Sequence, residues 1–98
     1  MRSAYDLYSL IGKNMKYIRK EIIGKSQEKM ADDTDMSRSF ISHIEIHNVD
    51  IGISLDTLFY FAQKYKFDIR IFFKGYEELM NENNNTSNEN SKETVAVS

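Results

Sequence analysis

Apolar residues recur at steps of three and four positions along the first part of the chain, with charged residues between them. Five of them follow this spacing: Leu7, Ile11, Met15, Ile18 and Ile22. Such a spacing places side chains on one face of a helix. Gly24 follows, and glycine readily takes the left-handed conformation in which many helices end. The pattern predicts a first helix over residues 6–23.

Three serines precede the next helical patterns, at Ser26, Ser37 and Ser54. A serine in this position caps backbone N–H groups that have no partner within the helix. The caps predict a second helix that ends near residue 33, a third over residues 38–46, and a fourth after Ser54. The fourth helix has an apolar stripe: Leu55, Leu58, Phe61, Ala62 and Tyr65.

Asp68 is a further candidate cap. The apolar residues after it predict a fifth helix: Ile69, Phe72, Phe73, Tyr76 and Leu79. No segment alternates apolar and polar residues as a half-buried strand does, and the chain has no proline. The predicted fold class is therefore all-α, a bundle of five helices.

The composition changes near Asn81, after which the chain is polar and rich in asparagine. Such a segment cannot bury enough apolar surface to offset the entropy lost on ordering. We therefore predict a folded domain over residues 1–80 and a disordered tail over residues 81–98. The first 76 residues hold 12 Lys/Arg and 10 Asp/Glu, whereas the remainder holds one Lys and five Glu. The first 76 residues are thus mildly basic and the remaining 22 acidic.

Several functional classes find little support in the sequence. The 98 residues include no cysteine, which excludes disulfides and thiolate metal sites, and no segment is typical of a signal peptide or a membrane span. We expect a cytoplasmic protein without a cofactor. His43 and His47 have a metal-ligand spacing, but only Glu45 accompanies them, so no zinc site is expected. Because no glycine-rich phosphate loop and no convincing Ser–His–acid set is present, we do not expect an enzyme.

Only three residues separate the second predicted helix from Ser37, the cap of the third, which is the spacing of a helix-turn-helix. Ala31 is small where the two helices must approach, and Asp35 occupies a turn position that favours the left-handed conformation. On the third helix, Ile41 and Ile44 are expected to point inward. Hydrogen-bonding residues occupy the opposite face: Arg38, Ser39, Ser42 and His43. Such residues are suited to reading base edges in the major groove of DNA.

Three segments together resemble the Cro/λ-repressor family, also called the XRE family. They are residues 26–31 (Ser-Gln-Glu-Lys-Met-Ala), residues 36–45 (Met-Ser-Arg-Ser-Phe-Ile-Ser-His-Ile-Glu) and residues 54–58 (Ser-Leu-Asp-Thr-Leu). The resemblance covers roughly residues 11–73. Among small single-domain members, the chain is similar to the controller proteins of restriction–modification systems.

This resemblance implies a λ-repressor-like DNA-binding fold and a transcriptional regulator that binds a two-fold operator as a dimer. It implies base-reading roles for five residues: Ser37, Arg38, Ser39, Ser42 and His43. Contacts with the DNA backbone are expected from Gln27, Lys25 and Asn48, and a structural role within the domain from Glu45. Lys13, Lys16 and Lys20 are additional candidates for phosphate contacts.

The chain departs from the family pattern in two places. The loop between Glu45 and Ser54 is two residues longer than usual and lacks the basic residues that often contact phosphates. In addition, acidic residues lie close to the expected DNA-facing side: Asp32, Asp33 and Asp35. Both departures lower the expected affinity for phosphate and leave open a protein-interaction module, such as an antitoxin that also represses its own operon.

The end of the domain is rich in aromatic residues, more than a core of this size requires. Some of them should remain exposed, and a surplus apolar patch favours an interface. We expect a homodimer, with these residues at the contact: Tyr65, Phe67, Ile69, Phe72, Phe73 and Tyr76.

Overall fold

The computed structural model describes residues 4–46 and 52–83, which are mostly helical and contain no strand. The five α-helices are α1 (Ala4–Tyr17), α2 (Gln27–Thr34), α3 (Arg38–Glu45), α4 (Leu55–Tyr65) and α5 (Tyr76–Asn83). A π-helical segment, Ile18–Ile23, continues α1, and a 3₁₀ segment, Ile69–Phe73, lies between α4 and α5. The all-α class predicted from the sequence is confirmed for this part of the chain.

The first predicted helix corresponds to α1 and the π-helical segment taken together. Gly24 ends it with φ 72°, in the left-handed region where the sequence placed a stop. The backbone N–H groups of Gly24 and Lys25 both donate to the carbonyl of Arg19, at 2.7 and 3.1 Å. These two bonds to Arg19 close the end of the segment although the helix does not continue.

All three serine caps are confirmed. The hydroxyl oxygens of Ser26, Ser37 and Ser54 each accept a hydrogen bond from the backbone N–H three residues later, at 3.0, 3.0 and 3.2 Å. The caps begin α2, α3 and α4, whose bounds agree with the predicted ones to within about one residue.

The last helix lies later in the chain than predicted. Asp68 acts as a cap, but only for the 3₁₀ segment, and Lys74 is extended with ψ 131° before Gly75 turns the chain at φ 94°. Asn14 stabilises this break, because its side-chain amide donates to the carbonyls of Phe72 at 2.7 Å and Lys74 at 3.0 Å. These bonds tie the chain on both sides of Phe73 to α1.

The described chain extends past the predicted domain end at residue 80, because α5 includes residues 81–83. The rest of the predicted tail, residues 84–98, and most of the predicted loop, residues 47–51, lie outside the described residues.

The core forms where α1 packs against α3 and the 3₁₀ segment, while α2 packs against α3 and α4 against the 3₁₀ segment. Seven large side chains are fully buried there: Met15, Ile18, Met30, Ile41, Leu58, Phe61 and Phe72. Phe67 meets Phe72 edge-on, with ring centroids 5.6 Å apart. Each of the first four helices therefore contributes buried side chains to a single core.

Candidate nucleic-acid interface

A tight turn joins α2 to α3. Asp35 has φ 61°, in the left-handed region, and its N–H donates to the carbonyl of Ala31, as does that of Met36 at 3.2 Å. Aspartate tolerates this conformation better than most residues. Thr34 is buried and its hydroxyl donates to the carbonyl of Met30 at 2.8 Å. The expected left-handed position of Asp35 is thus confirmed, and the turn holds the two helices in direct contact.

Helix α3 has one buried and one open face. Ile41 is fully buried and Ile44 nearly so, whereas Arg38 and Ser39 are exposed. Ser42 and His43 are half-buried, with Ser42 one turn after Arg38 and Ser39 and His43 at the edge of this face. Four of the predicted base-reading residues therefore share an accessible side of a short helix.

Ser37, the fifth predicted base-reading residue, is exposed just before α3. Its hydroxyl oxygen accepts the N–H of Phe40 at 3.0 Å. One lone pair of the hydroxyl oxygen is therefore used to cap the helix. Any contact of Ser37 with a further ligand must use the hydroxyl proton or the other lone pair.

A buried ion pair joins both helices to the end of the first. Arg19 donates from Nε and Nη2 to the carboxylate of Glu45 at 2.6 and 3.0 Å, and from Nη1 to the carbonyl of Lys25 at 2.8 Å. Gln27 donates its side-chain amide to the same carboxylate at 3.0 Å. One charge cluster therefore holds the end of α3, the start of α2 and the linker before it.

The structural role expected for Glu45 is confirmed by this cluster. Its partner Arg19 was not identified from the sequence, although a signal exists: Arg19 lies four residues after Met15 and adjacent to Ile18, at the margin of the apolar stripe. Gln27, a predicted DNA-backbone residue, keeps one of its two amide hydrogens available beyond Glu45.

A second charge cluster ties α2 to α4. The Asp33 carboxylate accepts the Lys25 ammonium at 2.5 Å and the Tyr65 hydroxyl at 3.2 Å, and Lys29 approaches it to 3.7 Å. The hydrogen bond from Lys25 holds the pKa of Asp33 below its usual value. Burial and the Asp33 carboxylate raise the pKa of Tyr65 to about 12.

This cluster changes the roles of two predicted site residues. Lys25, predicted to contact the DNA backbone, has its ammonium on Asp33 and 5.5 Å from the centroid of the Tyr65 ring. Tyr65, predicted at a dimer contact, is half-buried against α2. The spacing of Lys25, Lys29 and Asp33 at four-residue steps was the available signal. Of the acidic residues near the open face, Asp33 is thus neutralised, while Asp32 and Asp35 remain exposed.

The other predicted dimer-contact residues differ in exposure. Phe72 is fully buried in the core and has no surface to offer a partner, because it fills the space between α1 and the 3₁₀ segment. Phe67, Ile69 and Phe73 are half-buried, and Tyr76 is 40% exposed.

The largest apolar exposure on α4 lies at its start instead. Leu55 is 65% and Phe59 52% exposed, one turn apart on the same face. The sequence predicts that Leu55 belongs to the apolar stripe of this helix. In the structure the stripe enters the core only at Leu58, and Leu55 lies outside it.

Asn48, the third predicted DNA-backbone residue, and His47 lie outside the described residues. Within the described part of the chain, no three His, Cys, Asp or Glu side chains come together to hold a metal ion. No helix there is both long enough and apolar enough to cross a membrane. Comparison with protein-family models, curated proteins and solved structures finds no match to this chain.

Proposed function

We propose that the protein is a sequence-specific regulator of transcription that binds double-stranded DNA as a dimer. Helix α3 lies in the major groove, and two copies read successive half-sites about 34 Å apart. The observation that carries the proposal is the open face of α3, where Arg38, Ser39 and Ser42 project from a helix anchored by Ile41 and Ile44. The resemblance of residues 26–58 to Cro/λ-repressor proteins supports the same function.

In this proposal Arg38 supplies the main base contact, because its guanidinium matches the O6 and N7 acceptors of guanine. Ser39, Ser42 and His43 add shorter hydrogen-bonding groups along the groove. The free amide hydrogen of Gln27 and the start of α2 bind a backbone phosphate. Anchoring at both ends of α3, by the Ser37 cap and by Arg19–Glu45, holds Arg38 in one place before DNA arrives.

The dimer contact in this proposal centres on the exposed apolar residues rather than on the buried Phe72. Leu55 and Phe59 provide an apolar strip on α4, and Tyr76 adds a third exposed apolar side chain. Burying such a strip against a second copy removes apolar surface from water, which is the main driving force of association.

Fluorescence anisotropy tests the proposal, with the duplex upstream of the protein's own coding region and a scrambled duplex of equal length. We expect salt-sensitive binding that prefers the native duplex. Arg38→Ala should cost about 1–3 kcal/mol and relax the preference at one base position. Arg70→Ala is the matched control, because Arg70 is exposed and paired with Asp68 on a different segment. Equal binding of the wild type and Arg38→Ala to both duplexes would refute the role of Arg38.

A protein-interaction module, such as an antitoxin, is the second candidate. It is favoured by the exposed apolar strip of Leu55 and Phe59 and by the exposed carboxylates of Asp32 and Asp35. A complex with a protein partner should survive high salt and DNase, whereas a DNA complex weakens steeply with salt through counterion release. Co-purification under these two conditions separates the candidates.

A further inference from the structure

Positive charge is concentrated on the outer side of the first helix. Lys13, Lys16 and Lys20 are exposed on the side opposite the buried Ile11, Met15 and Ile18. Tyr17 is 46% exposed among them, and Lys74 brings a fourth ammonium group to 5.3 Å from the centroid of its ring. We call this surface the basic face: Lys13, Lys16, Tyr17, Lys20 and Lys74.

Among the described residues, the lysines of the basic face form no ion pair with a carboxylate. In contrast, Arg19 pairs with Glu45, Lys25 and Lys29 with Asp33, and Arg70 with Asp68. The chain carries a net charge of −2, so this face stands out as a local region of opposite sign.

The basic face and the candidate base-reading face lie on different helices. Helices α1 and α3 pack against each other, α1 through Ile11, Met15 and Ile18, and α3 through Ile41 and Ile44. Their solvent-exposed sides therefore lie on separate surfaces of the domain. The phosphate contacts expected of Lys13, Lys16 and Lys20 from the sequence stay a prediction, and their separate surface is available to a second duplex.

We propose that the basic face binds the phosphate backbone of a second DNA duplex, so that the protein bridges two DNA segments. This inference rests on the proposed function, in which α3 binds the first duplex. Lysines in a row along one helix are the electrostatic footprint of a polynucleotide partner. From Lys13 to Lys20 the helix rises about 10 Å, which spans about three phosphates of one strand.

The chemistry of the face favours a phosphate backbone over an acidic protein. A lysine ammonium is a mobile point charge that neutralises phosphates without demanding a fixed geometry. Protein interfaces instead depend on buried aromatic or arginine anchors seated in pockets. Tyr17 does not provide such an anchor alone, because the ammonium of Lys74 lies 5.3 Å from the centroid of its ring and keeps positive charge beside it. Binding through the basic face is therefore sequence-independent and sensitive to salt.

The test uses two double variants of the full chain that each remove two positive charges. K13Q/K20Q alters the basic face, and K64Q/K66Q alters two exposed lysines at the end of α4 as the matched control. Binding to a fluorescent scrambled duplex is measured by anisotropy at 50 and 200 mM salt. Each lost phosphate contact lowers the salt slope by about 0.9. The wild type should thus lose about tenfold more affinity across this range than K13Q/K20Q, and K64Q/K66Q should match the wild type.

Bridging is measured directly by immobilising the upstream duplex and counting capture of a fluorescent scrambled duplex. The wild type and K64Q/K66Q should capture it, whereas K13Q/K20Q should bind the immobilised duplex normally and capture little. Capture by K13Q/K20Q at the wild-type level would overturn the inference and leave the proposed function intact. Binding of polyglutamate in preference to the scrambled duplex would also overturn it. Failure of the wild type to bind either duplex would contradict the proposed function itself.

Discussion

The hydroxyl of Tyr65 donates to the carboxylate of Asp33 across the boundary between α4 and α2, with 3.2 Å between the two oxygens. Lys25 binds the same carboxylate oxygen. The proposed reading unit is thereby fastened to the helix that presents Leu55 and Phe59. In a dimer formed through α4, this contact sets the position of each reading helix relative to the two-fold axis.

The Tyr65 hydroxyl makes stability sensitive to alkaline pH. Its pKa is raised from 10.0 to about 12, which means that folding favours the protonated phenol. The stabilisation is complete below pH 10 and is lost as the pH rises towards 12. We expect the urea midpoint of the wild type to fall between pH 9 and 11.5 more than that of Tyr65→Phe. Tyr76→Phe is the control, and an equal fall in both variants and the wild type would contradict the assignment.

The Asp33 carboxylate has the opposite dependence. Lys25 holds its pKa below the usual 3.8, so the carboxylate stabilises the fold above that value and this contribution is lost as the pH falls below it. Asp33→Asn should therefore lower the thermal midpoint at pH 7 and have a progressively smaller effect as the pH falls below 3.8. Asp32→Asn removes the same charge from an exposed neighbour and should change neither value. Identical behaviour of the two variants would show that only net charge matters.

The Arg19–Glu45 pair is buried, with its side chains 10% and 2% exposed. Glu45→Gln leaves the guanidinium without its anion and should cost about 3–5 kcal/mol of unfolding free energy. The double variant R19M/E45L replaces both charges with apolar groups and should be more stable than either single variant. Urea unfolding followed by the helical circular dichroism signal measures all of them. A double variant as unstable as the sum of its parts would argue against the ion pair as the cause.

The Ser37 cap allows helix stability and DNA affinity to be separated. Ser37→Ala removes the acceptor for the N–H of Phe40 and should cost about 0.5–2 kcal/mol. Ser37→Asp keeps an acceptor and should retain the stability. The new negative charge should nevertheless weaken binding to the upstream duplex, because it is repelled by the negatively charged DNA. Calorimetry and anisotropy on both variants test this; unchanged DNA affinity in Ser37→Asp would remove Ser37 from the interface.

Phe59 tests the proposed dimer contact. Phe59→Lys places a charge in the centre of the apolar strip and should convert the dimer to a monomer in sedimentation equilibrium. Gln63→Lys adds a charge to the same helix at an exposed polar position and serves as the control. Persistence of the dimer in Phe59→Lys would show that the contact lies elsewhere. Dissociation in both variants would indicate general charge repulsion.

Local rules account for most of the helix boundaries. A cap depends on a side chain and an N–H three residues apart, as at Ser26, and a helix stop on one residue that tolerates positive φ, as at Gly24. Both are contained in a few consecutive residues, so they could be predicted. The one break that local rules missed, before α5, is stabilised by hydrogen bonds between Asn14 and carbonyls 58 and 60 residues away.

The sequence by itself determined the all-α class, three helix starts and the inward and outward sides of α3, because helix periodicity and capping act within a few residues. Tertiary structure decided that Phe72 is buried, that Leu55 is exposed and that Lys25 binds Asp33. These outcomes depend on which helices pack side by side. The candidate base-reading residues could therefore be identified in advance, whereas the charge clusters that hold them in place became visible only in the folded chain.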